Sequence, residues 1–347
     1  MFSFANDYSE GAHERVLEAL AKTNREQSGV YGLDAYSDEA RALILAATES
    51  ESAVHFLVGG TQTNLVVIAA ALRPHQGVIA ADTGHINVHE SGAIEATGHK
   101  VLAVPAPQGK LTSDAVERVF AAHYADVTAE HTVQPAMVYI SLPTEIGTVY
   151  TKAELIALKR VCERYGARLY ADGARLGCAL TAEGCDVTLP DLARYTDAFT
   201  IGGTKMGALF GEALVINDAS LNRDFRYIQK QHGAFLAKGR LLGLQFSALF
   251  TDGLYFSLAA YANGEAQRLR AAIAKLGYSF LTDSPTNQIF PILPKALLPR
   301  VSERFGYSFW QEIDSEHDAV RFCTSWATPS AEVDALIALM QAYEGAR

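Results

Sequence analysis

The chain has 347 residues, of which 49% are hydrophobic and 20% are charged, and its formal net charge is -10 at pH 7. This length is typical of one large α/β domain followed by a smaller one. An acidic chain has little affinity for a phosphate backbone, and no run approaches the roughly 18 consecutive apolar residues of a membrane span, so we expect neither nucleic acid nor a membrane as a partner.

The first 50 residues predict an N-terminal arm and helices. Apolar residues in SEGAHERVLEALAKTN recur at helical spacing, and a second helical pattern follows the turn GVYG. The start MFSFANDYSEGAHERV has no basic segment and reaches acidic residues before any apolar stretch, unlike a secretory signal. The four cysteines show no CxxC spacing and are typical of thiols in a reducing compartment. We therefore expect a cytoplasmic protein.

Short apolar runs alternate with helical stretches between residues 51 and 240, which we assign to a large domain. Helical spacing is evident in SDAVERVFAAHYADV and KAELIALKRVCERYG. Such alternation predicts an α/β fold with a mostly parallel central sheet covered by helices. The predicted strands are 77–82, 99–106, 136–142, 168–172, 198–202 and 212–217.

After about residue 220 the pattern changes to long helical sequences such as GRLLGLQFSALF and EAQRLRAAIAKLG. They are followed by the strand-like runs NQIFPILP and VRFCTSW and by a last helix from SAEVDALIALMQAY. This order predicts a smaller C-terminal α+β domain, which we assign to residues 241–347.

Polar residues that follow the predicted strands are the first candidates for a binding site, because ligands gather at the carboxyl ends of strands in open α/β sheets. In FLVGGTQTN a Gly-Gly-Thr-Gln segment directly precedes an apolar helix, where free backbone N–H groups could bind phosphate. Taken alone, the segment is better explained as a threonine-capped helix start. It matches neither GxGxxG nor GxxxxGK[ST], which argues against a dinucleotide or nucleoside-triphosphate site.

The segment ADTGHINVHESGAIE follows another predicted strand and contains His85, His89 and Glu90. A histidine in this position could be a ligand, a base, a stacking plane or a hydrogen-bonded loop residue. No cysteine or matched third ligand supports a metal site, so we predict none.

Two further segments place charged residues at strand ends. RLYADGARLG ends a strand at Asp172, with Arg175 three residues later, and an ordinary Asp-Gly turn is the local alternative. FTIGGTKMGALFG places Lys205 between glycines. A lysine in a dry pocket loses its proton readily and becomes a nucleophile toward carbonyls, whereas a solvated loop lysine does not.

A phosphate cradle, a flat histidine, a carboxylate and a lysine, in this order, are the groups that hold pyridoxal 5'-phosphate. Across nearly its whole length the sequence resembles the fold type I pyridoxal-phosphate enzymes of the low-specificity L-threonine aldolase and β-eliminating lyase group. The resemblance implies a fold type I, transferase-like α/β fold and this cofactor. It is carried by VYGLDAYSDEA, GGTQTN, GHINVHESGAIE, ADGARLG, GGTKMGALFGEALV and VRFCTSWATPSAEVDAL.

The resemblance implies a role toward the cofactor for each matching residue. Lys205 would bind it covalently, Asp172 would lie at the pyridine nitrogen and Arg175 near the phenolic oxygen. His85 would stack on the ring face. The phosphate would be held by Gly60, Thr61 and Gln62.

The same resemblance implies substrate and subunit contacts. Arg321 in VRFCTSW would bind the substrate carboxylate, a bidentate task suited to guanidinium, and Tyr31 is a second substrate candidate. The active sites of this family lie at a dimer interface, so we expect a homodimer or homotetramer. QKQHGAFLAKGRLLG resembles the segment that reaches the neighbouring phosphate, with Lys230, Lys238 and Arg240 as candidates.

One stretch departs from the family pattern. Many threonine aldolases have Thr-His-Asn after the central strand, where this chain reads ISLPTEIGTVY and has Glu145 at about the place of the histidine. That histidine is associated with the β-hydroxyl group of the substrate. Glu145 could be the base if burial raises its pKa, His85 or His89 could act through a water, and Glu145 could equally be a structural acceptor.

The expected reaction is cleavage of a β-hydroxy-α-amino acid, of the threonine, allo-threonine or phenylserine type, into glycine and an aldehyde. The alternative on the same cofactor is β-elimination, which gives ammonia and an α-keto acid. A non-catalytic protein that binds the cofactor would need neither Lys205 nor Arg321. The missing dinucleotide fingerprint argues against a nicotinamide dehydrogenase.

Overall fold

The computed structural model of the protein describes residues 1–345. Its helices are α1 (Glu14–Thr23), α2 (Ala35–Thr48), α3 (Gly60–Ala71), α4 (His85–Val88), α5 (Ala93–Ala96), α6 (Ser113–Ala125), α7 (Lys152–Tyr165), α8 (Leu176–Leu180), α9 (Leu189–Tyr195), α10 (Ala219–Asn222), α11 (Phe225–Gln231), α12 (Arg240–Phe250), α13 (Leu254–Lys275), α14 (Leu298–Ser302) and α15 (Ser330–Gly345). Its strands are β1 (Phe2–Ser3), β2 (Ala53–Leu57), β3 (Gln76–Ala81), β4 (Lys100–Val104), β5 (Gln134–Ser141), β6 (Arg168–Asp172), β7 (Ala198–Gly202), β8 (Glu212–Ile216), β9 (Gln288–Ile289), β10 (Ile292–Pro294), β11 (Phe305–Gly306), β12 (Ser308–Glu312) and β13 (His317–Cys323).

The central sheet has the strand order β2-β8-β7-β6-β5-β3-β4. All pairs from β7 to β4 are parallel, and only β8 runs antiparallel to its neighbours β2 and β7. The predicted mostly parallel sheet is confirmed, and each of the six predicted strands coincides with one of its strands. The edge strand β2 was not predicted, because AVHFL is short and carries a histidine at its centre.

Helices cover both faces of this sheet. Because successive side chains of a strand point to opposite faces, Ile79 packs into one apolar core and its neighbour Val78 into the other. The first core includes buried residues of α1, α2, α6, α7, α8, α9, α12 and α13. The second is formed against α3, α4, α5, α10 and α11.

The predicted smaller C-terminal α+β unit is present, with β10, β13 and β12 in one antiparallel sheet and β9 paired to β13. The first residues of the chain pack against it, because β1 pairs with β11 and Phe4 is buried in its core. Helix α12, which begins at Arg240, instead packs on α1 and α2. The boundaries at residues 50 and 240 stay predictions.

The stretch from Arg240 to Lys275 is long and apolar enough to cross a membrane by length and composition, but half of its most apolar window is buried inside the protein. Asp252 and Gly253 adopt positive φ angles of 55° and 68° between its two helices. These features are those of two core helices separated by a turn.

Candidate active site

Seven of the predicted site residues, Gly60 among them, meet in one cleft of about 370 Å³ at the carboxyl edge of the parallel strands. Strand β5 ends at Ser141, β6 ends at Asp172, and Lys205 follows the end of β7. A second cleft of about 390 Å³ contains none of the predicted residues. The lining of the first cleft includes Thr61, His85, Glu145, Asp172, Arg175 and Lys205.

Lys205 is held at the cleft by a glycine-rich turn. A Cβ atom at Gly202 would lie 2.3 Å from the backbone oxygen of Ala174, and Gly207 has a φ of 93°, so both positions require glycine. Burial, followed by the charge of Arg175, lowers the pKa of Lys205, and nearby carboxylates only partly oppose this shift. The site therefore makes the neutral, nucleophilic form of this amine easier to reach than it is for a solvated lysine.

Asp172 is 6% exposed and receives three hydrogen bonds. Its Oδ2 accepts from Asn64 Nδ2 at 2.9 Å and from the Tyr139 hydroxyl at 2.8 Å. Its Oδ1 accepts from the backbone N–H of Ala174 at 2.9 Å. This donor set suits an ionised carboxylate held in one orientation at the floor of the cleft.

His85 is fixed to the same network through Glu90. His85 Nδ1 lies 2.7 Å from Glu90 Oε1, and that oxygen also accepts from Asn64 Nδ2 at 2.7 Å. Asn64 thus connects the aspartate and the histidine. His85 itself is partly exposed and lines the cleft.

Arg175 forms a bidentate ion pair with Asp7 from the N-terminal arm. Arg175 Nε and Nη2 donate to the two carboxylate oxygens at 2.6 and 3.0 Å, and Asn287 donates to Asp7 at 2.8 Å. Burial alone would raise the pKa of Asp7, but the charges of Arg175 and Lys205 outweigh that effect and lower the pKa to about 2. The pair fixes the guanidinium at the cleft, where its Nη1 has no hydrogen-bond partner within residues 1–345.

The predicted phosphate cradle is the start of α3. Gly59 caps this helix without a side-chain hydrogen bond, and a Cβ atom at Gly59 or Gly60 would meet no atom within 4 Å. Free N–H groups and open space at a helix start favour an anion. Thr61 lines the cleft, whereas the side chain of Gln62 turns back to accept from the N–H of Val58 at 3.3 Å. The side-chain oxygen of Gln62 is therefore occupied, and its backbone N–H belongs to the free N–H groups of the helix start.

Glu145 has one carboxyl oxygen fixed by the protein. Its Oε1 accepts from the backbone N–H of His85 at 2.8 Å and from the Ser141 hydroxyl at 2.6 Å. Its Oε2 has no partner in the described part of the chain. Burial raises the pKa of Glu145, and hydrogen bonds from Ser141, from its own backbone N–H and from the N–H of His85 only partly oppose that shift. The carboxyl group is therefore oriented in the cleft and able to exchange a proton.

Arg321 lies on β13, in the C-terminal unit. It donates to the backbone oxygen of Ala5 at 2.8 Å and to Gln288 at 3.2 Å, and its buried Nε has no hydrogen-bond partner within residues 1–345. Burial lowers the pKa of His89, and the positive charges of His85 and Arg321 lower it further. The guanidinium of Arg321 therefore lies near His89. No carboxylate of residues 1–345 forms an ion pair with Arg321.

Tyr31, the second substrate candidate, and the three candidates for subunit contacts lie outside this cleft. Tyr31 packs against Phe235, and the Lys230 ammonium lies 4.8 Å from the centre of its ring. Lys238 is exposed. Arg240 is buried and donates to the backbone oxygens of Thr23, the last residue of α1, and of Glu26. These hydrogen bonds leave its guanidinium poorly placed to reach a neighbouring phosphate.

Sequence reasoning missed several residues of this site. Asp7 comes from the arm and carries no motif, and Tyr139 is hidden in an apolar strand. Asn64 gave a weak signal, as an amide within an otherwise apolar helix one turn after the Gly-Gly segment. Glu212 lies in a quoted motif, but nothing in its spacing indicated that it faces the cleft.

Comparisons with known proteins agree with this geometry. Residues 4–295 match the protein family described as Beta-eliminating lyase. A low specificity L-threonine aldolase from a Pseudomonas species is 31% identical over 99% of this chain and 98% of its own. A threonine aldolase structure from Leishmania major is 42% identical, with a TM-score of 0.96 over 99% of this chain and 100% of that one. An aspartate aminotransferase from Thermus thermophilus, 15% identical with a TM-score of 0.71 over 97% of this chain and 89% of its own, shares the fold.

Proposed function

The chain belongs to the β-eliminating lyase family, and from this premise we propose that it is a pyridoxal-phosphate-dependent aldolase that cleaves the Cα–Cβ bond of a β-hydroxy-α-amino acid to give glycine and an aldehyde. The expected class of carbon–carbon lyase agrees with its relatives, which are named low specificity L-threonine aldolases. We propose threonine, allo-threonine or phenylserine as the type of substrate.

The residues of the cleft fit this cofactor. The start of α3 offers open space and free N–H groups for a phosphate, Asp172 is fixed for a protonated pyridine nitrogen, and Lys205 is an amine whose pKa burial lowers. Arg175 has a free Nη1 for the phenolic oxygen, and His85 would cover the ring. Bound pyridoxal phosphate would supply the electron sink for the pair of electrons released as the Cα–Cβ bond breaks.

Arg321 would bind the substrate carboxylate. A partly buried guanidinium with an unpaired Nε and no carboxylate partner within residues 1–345 is suited to an anion supplied by a ligand. Fixing the carboxylate orients the amino acid and, with it, the bond to be broken.

The orientation of Glu145 in the cleft is the observation that best supports the proposal. Aldol cleavage needs a base for the β-hydroxyl proton, and the Oε2 of Glu145 is the unpaired oxygen of a carboxyl group whose pKa burial raises. The N–H of His85 and the hydroxyl of Ser141 hold the other oxygen, so the group does not rotate away. Glu145 would take the proton directly from the substrate.

The experiment is to load the protein with pyridoxal phosphate, supply L-threonine or phenylserine, and measure glycine and aldehyde. We expect glycine from both, with phenylserine at least as good a substrate. Lys205→Ala should release none and should lose the cofactor linkage that borohydride traps in the unaltered protein. Failure of the unaltered protein to form glycine from any β-hydroxy amino acid contradicts the proposal.

We also propose that the protein is a homo-oligomer with residues of two subunits at each site. Val30, Tyr31 and Leu33 are 55%, 38% and 63% exposed, which makes one loop an apolar surface suited to a second copy. Lys230 and Lys238 are exposed beside it and could reach a neighbouring phosphate. Light scattering in solution tests the assembly, and a monomer would contradict it. A cytoplasmic location stays a prediction, supported by four cysteines that are all free thiols.

A further inference from the structure

Glu212 is a buried acid with no role in the reaction described above. It is the first residue of β8, it is 3% exposed, and it lines the cleft together with Lys205 and Thr61. Its Oε2 is enclosed and has no hydrogen-bond partner within residues 1–345. An unpaired polar atom in a buried wall of the cleft indicates that a bound ligand supplies the partner.

The surroundings of Glu212 favour its neutral form. Burial, and then the negative charge of Asp172, raises the pKa of Glu212 well above its ordinary value, although Lys205 opposes the shift. Two further titratable neighbours, Tyr170 and Tyr255, stay uncharged because burial raises their pKa values as well. A neutral carboxylic acid presents one O–H donor to the cleft.

The position of Glu212 on the sheet indicates which ligand group it meets. Glu212 is paired with Leu57 on one side and with Gly202 on the other. Leu57 directly precedes the turn that starts α3, and Gly202 lies just before Lys205. Glu212 therefore lies between the anion-binding helix start and the lysine. An anion held there would be repelled by an ionised carboxylate but would accept from a neutral one.

We propose that Glu212 donates a hydrogen bond from its neutral carboxyl group to the phosphate of the cofactor at the start of α3. It is a positioning residue, and its role rests on the proposed function, which brings that phosphate into the cleft. A carboxyl donor also holds the phosphate without adding a positive charge near Lys205, whose protonation the charge of Arg175 already disfavours.

The experiment compares two ligands that differ only in the phosphate. The cofactor-free protein is titrated with pyridoxal 5'-phosphate and with pyridoxal, and the dissociation constant of each is measured by absorbance and fluorescence. Three variants are compared with the unaltered protein: Glu212→Leu and Glu212→Ala remove the donor, whereas Glu212→Gln keeps one. Circular dichroism confirms that each variant is folded.

We expect Glu212→Leu and Glu212→Ala to weaken the binding of pyridoxal phosphate by about tenfold or more, because the lost hydrogen bond is to a charged group. The affinity for pyridoxal should be unchanged. Glu212→Gln should keep the preference for the phosphorylated ligand within about threefold, on the same reasoning. Equal weakening of both ligands, unchanged affinity for pyridoxal phosphate, or full loss of the preference in Glu212→Gln would overturn the proposal.

Failure of the underlying function gives a different result. If the unaltered protein binds no pyridoxal phosphate, the proposed function fails together with this role. If it binds the cofactor normally and the Glu212 variants keep its affinity, only the role of Glu212 fails. Should Glu212→Leu and Glu212→Ala not fold, the ratio of the two dissociation constants in Glu212→Gln decides alone.

Discussion

Lys205 and Glu145 are groups whose ordinary charge the surroundings oppose. Burial lowers the pKa of the lysine and raises the pKa of the glutamate, so both move toward the pH at which an enzyme must exchange protons. The pKa of Asp7 is lowered although this carboxyl group is also buried, because the paired guanidinium of Arg175 outweighs the effect of burial. Partners as well as burial therefore decide which side chains of this cleft can react.

Glu145→Gln tests the proposed base through pH. A base must be deprotonated, so kcat of the unaltered enzyme should rise with pH through a value above the ordinary 4.5 of a glutamate, in keeping with the raised pKa. Glu145→Gln should lower kcat by about 10²–10⁴-fold and remove this rise. The measurement is the pH profile of kcat. A rise that persists in Glu145→Gln and disappears in His89→Gln would assign the base to the histidine.

The same substitution should alter stability with a defined sign. Because the folded pKa of Glu145 is raised, the native state binds more protons than the unfolded chain above about pH 4, and stability falls as the pH increases through that window. Glu145→Gln should therefore be more stable than the parent at pH 8 and equally stable at acid pH, as measured by thermal unfolding.

Arg321→Ala tests the carboxylate contact. Loss of a partly buried, hydrogen-bonded ion pair costs about 2 kcal/mol or more, which is about thirtyfold in affinity, so KM should rise while cofactor absorbance is unchanged. Arg304→Ala is the matched control, because Arg304 lies in the same C-terminal unit but is exposed and paired with Glu332. An unchanged KM in Arg321→Ala would remove this role.

Among the individual site residues, those that follow strands could be predicted from the sequence, but their hydrogen-bond and ion-pair partners could not. Lys205, Asp172 and His85 each end or follow a strand, and parallel topology brings such positions together. Asn64 and Asp7 are contributed by a helix interior and by the arm, and only the folded chain brings them to Asp172 and Arg175.

Close packing of helices fixes the elements around the cleft. Gly243 of α12 packs directly on α2, and a Cβ atom there would lie 2.6 Å from the backbone N and Cα of Ser37. Backbone cannot move aside as a side chain can, so α12 and α2 would have to separate. The strands were predictable because their apolar runs are buried on both sides, as in β7 and β8. The run NQIFPILP was predicted as strand-like, and the structure divides it into β9 and β10, whereas the two-residue β11 was not predicted because two residues carry no periodicity.

A pair of glycine substitutions tests this packing. Gly243→Ala should lower the free energy of unfolding by about 1–3 kcal/mol through overpacking. Gly264→Ala, in the exposed part of α13 where a new Cβ meets nothing within 4 Å, should raise it by about 0.5–1 kcal/mol. Urea denaturation at equal protein concentration measures both. Equal effects of the two substitutions would refute the close contact of α12 with α2.

The whole molecule brings distant parts of the chain to one site. The arm contributes Asp7, the sheet contributes Asp172 and Lys205, and the C-terminal unit contributes Arg321 in the proposed function. The fold class could be predicted because the alternation of strands and helices is local. The joining of the arm to the C-terminal unit through β1 and β11 could not, because two-residue strands about 300 positions apart leave no pattern in the sequence.

The most direct test of the proposed reaction is a complete product balance for one substrate. The enzyme loaded with pyridoxal phosphate is supplied with L-threonine, and glycine, acetaldehyde, ammonia and α-keto acid are measured in the same reaction. Aldol cleavage predicts equal amounts of glycine and acetaldehyde, with neither ammonia nor keto acid. Ammonia and keto acid in equal amounts, without glycine, would contradict the account and identify the protein as an eliminating lyase.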